Sequence, residues 1–339
     1  MDGNVSAPHT TSQQKDGKSA SRSRLVKLLP NNIGGPLIGL ALLVLVFSFS
    51  SEYFFSVRNG LNILDQVTVL GILALGMTAV IVIGGIDLSV GSVLALSMMM
   101  LGWLYQDVGL PLAVAIPAAI GTGMLAGLVS GLLISYARLP AFIATLTMMS
   151  VARGLANILT EGRQIVGFPD WFTSLATVRH FGFLSATVGF FLILAAGAWV
   201  YLRYRAGGRN LYAIGGSAEV ARLSGIKVRA ITLWVYALSG ALAGIAAVTM
   251  AARLDSSQPS AGLTMELDAI AAVVIGGASL SGGVGSIGGT LVGVLIIGVL
   301  RNGLNLLGVS PFVQQVVIGV VIALAVTLDT LRRRNGSRA

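Results

Sequence analysis

The sequence predicts an all-α polytopic membrane protein: a transmembrane helix bundle of about ten spans with a parallel internal repeat. Charge is scarce, since 22 Lys and Arg with 13 Asp and Glu make up 10% of 339 residues, against about 25% in an ordinary soluble domain. Apolar residues reach 55% and mean hydropathy is +0.87. Apolar runs recur from Gly34 to Leu331, and roughly 20 such residues cross about 30 Å of hydrocarbon. This composition excludes a soluble enzyme of the usual kind, a disordered chain and, with no Cys, a disulfide-stapled secreted domain. With His9 and His180 the only histidines, most metal-site and thiol chemistry is excluded too. The formal charge of +9 is spread between apolar runs and forms no basic face interleaved with aromatics, so nucleic acid is not an expected partner.

Residues 1–32 are polar and end in the basic stretch Arg22 to Lys27, which reads as a disordered cytoplasmic tail. Residues 33–331 form the membrane domain, and 332–339 a second basic cytoplasmic tail. The expected spans are 34–50, 61–83, 88–104, 111–136, 141–159, 184–204, 231–251, 265–281, 286–300 and 312–331. An even number puts both termini on one side, and basic residues mark that side as cytoplasmic. Sixteen Lys and Arg fall there, in the tail, at Arg138, in 203–229 and at the C-terminal end. Five fall opposite: Arg58, Arg163, Arg179, Arg253 and Arg301. Arg153 is left inside a span, where it either snorkels to the surface or pairs with an acid. Trp103, Tyr105, Trp199, Tyr201, Tyr204, Trp234 and Tyr236 lie near expected interfaces, where amphipathic rings are favoured.

Glycine spacing predicts close helix packing. Gly123, Gly127 and Gly131, Gly240 and Gly244, and Gly285, Gly289 and Gly293 each place small residues on one helix face. The repeat appears in the stretch from Val82 to Gly91, which matches that from Val274 to Gly283 at seven of ten positions across an offset of 192. Six spans separate the copies, so both enter the membrane in the same direction. Gly-interrupted segments in corresponding places of two halves point to a transport site.

Enzymatic readings fail on spacing. Gly277-Ala278-Ser279-Leu280-Ser281 breaks the G-x-S-x-G pattern at its last position, and neither histidine lies in a span. Gly17-Lys18-Ser19 lacks the earlier Gly of a phosphate loop, position 12 being Ser, so ATP hydrolysis would need another chain. Asp87, within GGIDLSVGS, reads as the ion site of a secondary transporter or as a structural anchor for the next helix start, helped by Ser89 and Ser92. Its place at a span end favours an exposed N-cap. Glu266 and Asp268 suit a helix N-terminus. In the loop 205–230, Ser217 as N-cap, Glu219 in the first turn, Arg222 in the last and Gly225 at the end describe one short surface helix. Such a helix docks a partner or lies on anionic lipid.

Glu219-x-Ala221-x-x-x-Gly225 is similar to the E-A-A-x-x-x-G loop of permease subunits of binding-protein-dependent ATP-binding cassette (ABC) importers, with Val220 in place of the second Ala and the later Pro absent. GGIDLSVGSVLAL at 84–96, AFIATLTMM at 141–149, GRNLYAIGG at 208–216, ARLSGI at 221–226 and the stretch 256–283 together resemble the ribose/monosaccharide permease family. RNGLNLLGV at 301–309 leans toward its ribose-type members. The resemblance runs from about Ser56 to Leu331. It implies a permease in the cytoplasmic (inner) membrane that binds no cofactor itself and works as a pair, most simply a homodimer. ATP would be hydrolysed by a cytoplasmic ATPase subunit, and a periplasmic or extracellular binding protein would deliver the sugar. Ser217, Glu219, Ala221, Arg222 and Gly225 would form the coupling helix. The loop 160–183, with Trp171 and His180, would meet the binding protein. Asp87, Ser89, Ser92, Thr145, Thr147 and Asn157 are the candidate sugar path, each also able to serve as a helix–helix hydrogen bond.

Overall fold

The computed structural model describes residues 34–180 and 182–336. The polar tail 1–32 lies outside them. In chain order the elements are α1 (Gly34–Ser50), α2 (Val57–Val82), α3 (Val90–Gln106), α4 (Leu112–Ser135), α5 (Ala141–Ile158), β1 (Ile165–Val166), α6 (Asp170–Thr177), β2 (Arg179–His180), β3 (Leu184–Ser185), α7 (Ala186–Tyr204), α8 (Ala206–Gly216), α9 (Ala218–Leu223), α10 (Val228–Leu254), β4 (Ser256–Ser257), α11 (Met265–Ile275), α12 (Ile287–Leu306) and α13 (Pro311–Gly336). The last of these extends into the segment 332–339.

Local chemistry sets the boundaries. The hydroxyls of Ser56, Ser185 and Ser286 accept N–H bonds at the starts of α2, α7 and α12. Pro111, Pro140 and Pro169 stand immediately before α4, α5 and α6, where the missing N–H costs nothing. Among the described residues six helices are long and apolar enough to cross a membrane: α2, α4, α5, α7, α10 and α12. α1 and α3 are apolar but shorter.

The expected span 265–281 is corrected. α11 stops at Ile275, and its 11 residues rise only about 16 Å. Gly277 N–H bonds to Val274 O and Ala278 N–H to Val273 O, closing the helix, and Gly277, Gly282 and Gly283 then hold positive φ. α2 ends in the same way, with Gly84 N–H on Ile81 O and Gly85 N–H on Val80 O. After each helix a side chain holds the N–H two residues on: Asp87 that of Ser89, and Ser279 that of Ser281. The turns are offset by 192 residues and the helix ends by 193, so the second loop is one residue tighter there.

Helix α10 is the centre of the bundle, against α4, α2 and α3; α11 pairs with α12, α1 lies on α12, and α7 on α2. The α4–α10 crossing joins two of the faces that the glycine spacing marks for close packing. A Cβ at Gly123 would overlap Gly240 O, one at Gly240 would overlap Gly123 O, and one at Gly127 would overlap Tyr236 O. Gly289 and Gly293 do the same against Gly276 O and Ala272 O, where α12 meets α11. Backbones in contact gain dispersion where lipid supplies no hydrophobic drive. At the end of the bundle that holds α6, β1 pairs antiparallel with β4 (Ile165 opposite Ser257) and β2 with β3, tying 160–185 to the α10–α11 connection.

Candidate functional site

The segment after α7 holds two helices, where the sequence suggests one. α9 has the expected anatomy. Ser217 Oγ accepts from Val220 N–H at 3.3 Å. The Arg222 guanidinium forks onto the Glu219 carboxylate, Nη2 to Oε1 at 2.6 Å and Nε to Oε2 at 3.1 Å. Those bonds hold the Glu219 carboxyl below its usual range and raise Arg222, although both are exposed. Ala221 is buried, and Gly225 at φ +83° ends the helix, with Ile226 N–H on Ala221 O. Val220 and Leu223 point outward at 61% and 73% exposure, an apolar pair that nothing among the described residues covers.

Helix α8, the one the sequence does not announce, supplies the mount. Its Gly215 lies so close to the α2 end and the α11–α12 loop that a Cβ would overlap Val82 O and Gly283 N. Tyr212 donates its hydroxyl to Gly285 O at 2.9 Å, and burial pushes that phenol up. The two Gly-interrupted loops also meet each other: Gly283 N–H bonds to Val82 O at 2.9 Å, and a Cβ at Gly282 would sit 2.9 Å from Gly84 Cα. The two Gly-interrupted loops thus form one platform under α8.

Asp87 is not an exposed cap. It is 2% exposed: Oδ1 accepts from Ser89 N–H at 3.0 Å and from Ser89 Oγ at 2.6 Å, and Oδ2 from Ser239 Oγ of α10 at 2.9 Å. Ser89 is the cap residue of α3, but its hydroxyl is spent on Asp87. Beside it the Tyr236 hydroxyl donates to Ile86 O at 3.3 Å. The reason for the burial is the Gly84–Gly85 turn, which folds the loop under α10 and not out to water. Ser92 is buried in the first turn of α3. Thr145 is fully buried, with its hydroxyl on Ala141 O at 2.9 Å.

Thr147 and Asn157 stand apart from these four. They share an exposed stripe of α5 with Ser150 and Gly154, spaced three or four residues apart. Asn157 also lines a cavity of about 480 Å³ with Arg153, Gln164, Gln258 and Ser260. Arg153 makes no ion pair among the described residues; its Nη1 donates to Pro259 O and Ala261 O, at 2.5 and 2.8 Å. Gln164 and Gln258 escape the sequence reading because an isolated loop amide has no spacing signal.

Glu266 and Asp268 both stand in the first turn of α11, and Asp268 pairs with Arg301 of α12. Arg301, expected in a loop, therefore lies within a helix and is compensated. Arg253 ends α10 with its guanidinium on Asp65 O at 3.1 Å, while the Asp65 carboxylate binds Arg179 at 2.8 Å. Trp171 on α6 is exposed, and the side chain of His180 lies outside the described residues. Among the described residues no three His, Cys, Asp or Glu side chains gather as a metal site.

Residues 59–326 match the family described as branched-chain amino acid transport system / permease component. The chain is 46% identical to the ribose import permease protein of Bacillus subtilis (strain 168) over 305 residues, covering 87% of this chain and 92% of that one. It is 39% identical to a probable ABC transporter permease protein of Escherichia coli (strain K12), covering 95% and 96%. It is 35% identical to the galactose/methyl galactoside import permease protein of the same organism, covering 88% and 94%. No solved structure matches the chain.

Proposed function

The chain belongs to the permease-component family that its residues 59–326 match, and from that membership we propose that it is the membrane-spanning subunit of an ABC importer for a monosaccharide, ribose or a related sugar. The family description names amino acids, but relatives such as the ribose and galactose/methyl galactoside permeases, covered over most of their length, are named for sugars. ATP is hydrolysed by a separate cytoplasmic subunit, and this chain binds no cofactor.

One observation carries the mechanism: α9 presents uncovered Val220 and Leu223 beside a locked Glu219–Arg222 pair, on a mount built from the ends of α2 and α11. A partner closing on ATP pushes α9, and α8 passes the push to Val82 and Gly283. Backbone-on-backbone contact there leaves no soft side chain to absorb it, so the helix ends move as a body.

The bundle makes ten crossings, by α1 to α5, α7 and α10 to α13, with α11 and the Gly-rich stretch after it sharing one. Both termini are cytoplasmic, on the side of the sixteen basic residues. The parallel repeat relates α2–α4 to α11–α13, supported by the recurrent helix ends and side-chain turns. Two identical copies form the pore, their α5 stripes facing each other, and Thr147, Ser150 and Asn157 line the path. Asp87, Ser89, Ser92 and Thr145 position the loop behind it. The sugar-binding protein docks on the outer face around α6, above the cavity of Arg153 and Asn157.

Ion coupling through Asp87 is not favoured, since three donors from Ser89 and Ser239 occupy its carboxylate. The test is uptake of labelled ribose by proteoliposomes holding this chain, the ATPase and the binding protein. Uptake should need ATP and survive collapse of the proton gradient. Uptake without ATP, driven by a proton gradient, would overturn the reading.

A further inference from the structure

Between α7 and α10, with α2 as its floor, runs a groove of about 1010 Å³ that the sugar path does not use. Its walls are apolar and open: Ile193 of α7 is 69% exposed, and Trp234 and Leu238 of α10 are 58% and 51% exposed. A sugar is excluded there, because its hydroxyls would be left without partners. One end is different. Asn210 of α8 and Lys227 stand at the turn from Ser224 to Lys227 that joins the coupling helix to α10. Arg229, the nearest cation in sequence, does not line the groove and Arg222 is tied to Glu219, whereas Lys227 lines it, is exposed and makes no ion pair among the described residues.

We propose that this groove is a binding site for one anionic glycerophospholipid, its acyl chains between α7 and α10 and its phosphate against Lys227. Three observations select that occupant. The apolar walls belong to two helices that cross the bilayer, so hydrocarbon is the solvent they meet. Of the residues that line the polar end, Lys227 is the cation and has no ion-pair partner among the described residues, which makes it the complement of one phosphate. Tyr201 and Trp234 line the groove toward that end, as amphipathic rings do at the headgroup level. Because the headgroup end is the α9–α10 joint, the lipid braces the segment through which the ATPase pushes. That consequence rests on the coupling reading of α9, while the binding itself does not.

The binding is tested on the permease alone, reconstituted in nanodiscs of phosphatidylcholine with phosphatidylglycerol and released for native mass spectrometry. Wild type should retain phosphatidylglycerol over phosphatidylcholine. Lys227→Gln, an exposed change, should lower that preference about fivefold, as loss of one basic contact to an anionic lipid does. Gly197→Leu should lower retention of both lipids, since a Cβ at Gly197 meets nothing within 4 Å and the larger side chain enters the groove. Equal retention of the two lipids by wild type, or an undiminished preference in Lys227→Gln, would overturn the site. A groove free of lipid in the dimer, with Gly197→Leu breaking dimerisation, would assign it to a second copy and also overturn it. Lipid-dependent ATPase stimulation is then measured in the full complex, so a failed α9 reading shows there alone.

Discussion

Two carboxylates of this chain separate structure from function. Asp87 accepts from two hydroxyls and one N–H in a buried loop, so Asp87→Ala strands those donors, whereas the isosteric Asp87→Asn can donate its amide to the Ser239 hydroxyl and keep them paired. A buried polar group left unsatisfied costs about 1–3 kcal/mol, and Ser239→Ala, which removes one of several bonds, should cost less. Thermal unfolding of the purified permease measures both, and ATP-driven uptake by the folded fraction should persist. Abolished uptake in an Asp87→Asn protein of unchanged stability would return the residue to the transport chemistry. Glu219 is the opposite case. It is exposed, so Glu219→Ala should leave the unfolding temperature unchanged, yet it frees Arg222 and removes the charge beside Val220. Co-purification of the ATPase should fall at least severalfold. An ATPase that still binds and drives transport at the wild-type rate would sink the coupling assignment.

At the scale of elements, α4 offers a controlled comparison. A Cβ at Gly127 overlaps Tyr236 O of α10, whereas one at Gly121 meets nothing within 4 Å. Gly127→Ala should separate the two helices and cost about 1–3 kcal/mol or more. Gly121→Ala should be neutral or stabilising by up to about 1 kcal/mol, the helix-propensity difference. Denaturant unfolding of the two variants decides, and equal effects would mean that the crossing is looser than described. The close-packing faces of α4 and α10 were legible because a four-residue glycine repeat is itself a packing instruction, although it does not say which helix the face meets. α8 was not legible, since Gly207, Gly208, Gly215 and Gly216 oppose helix formation locally. They are tolerated because Gly208 and Gly215 must lie against the Leu202 and Val82 backbones, a requirement that exists only once the fold is made. α11 was overextended for the converse reason. Residues 276–281 are apolar enough to read as span, but Gly276-Gly277 closes the helix, and hydropathy carries no sign of a helix end. Asp87 was misplaced by the same limit, since the sequence locates the loop after α2 but not the side of α10 to which it folds.

For the whole molecule the question is which surface of the bundle faces water inside the membrane. Most of α2 is buried within the chain, while α5 and α7 leave most of their residues exposed, yet only α5 carries a polar stripe, of Thr147, Ser150, Gly154 and Asn157. α7 has an apolar outer face suited to lipid. The α5 stripe satisfies its own hydroxyls by bonding back to Ile143 O and Leu146 O, so it survives assembly in lipid, and under the proposed pairing it would acquire a wet face when a second copy encloses it. The absence of Cys from the sequence makes the test direct. Single cysteines at Thr147, Ser150 and Asn157 should react with a membrane-impermeant maleimide in the reconstituted dimer. A cysteine at fully buried Thr145 should not, and nor should one at lipid-facing Ile193. Ser150→Cys should also cross-link the two copies, and trapping the ATP-bound state should change both the labelling and the cross-linking. If Ser150→Cys stays unlabelled and uncrosslinked while the dimer transports, the path lies elsewhere. The chamber of about 430 Å³ lined by Arg253, Asp268, Arg301 and Asn305 then becomes the alternative route, because it is a second cavity with the paired charges and amides that a sugar's hydroxyls need.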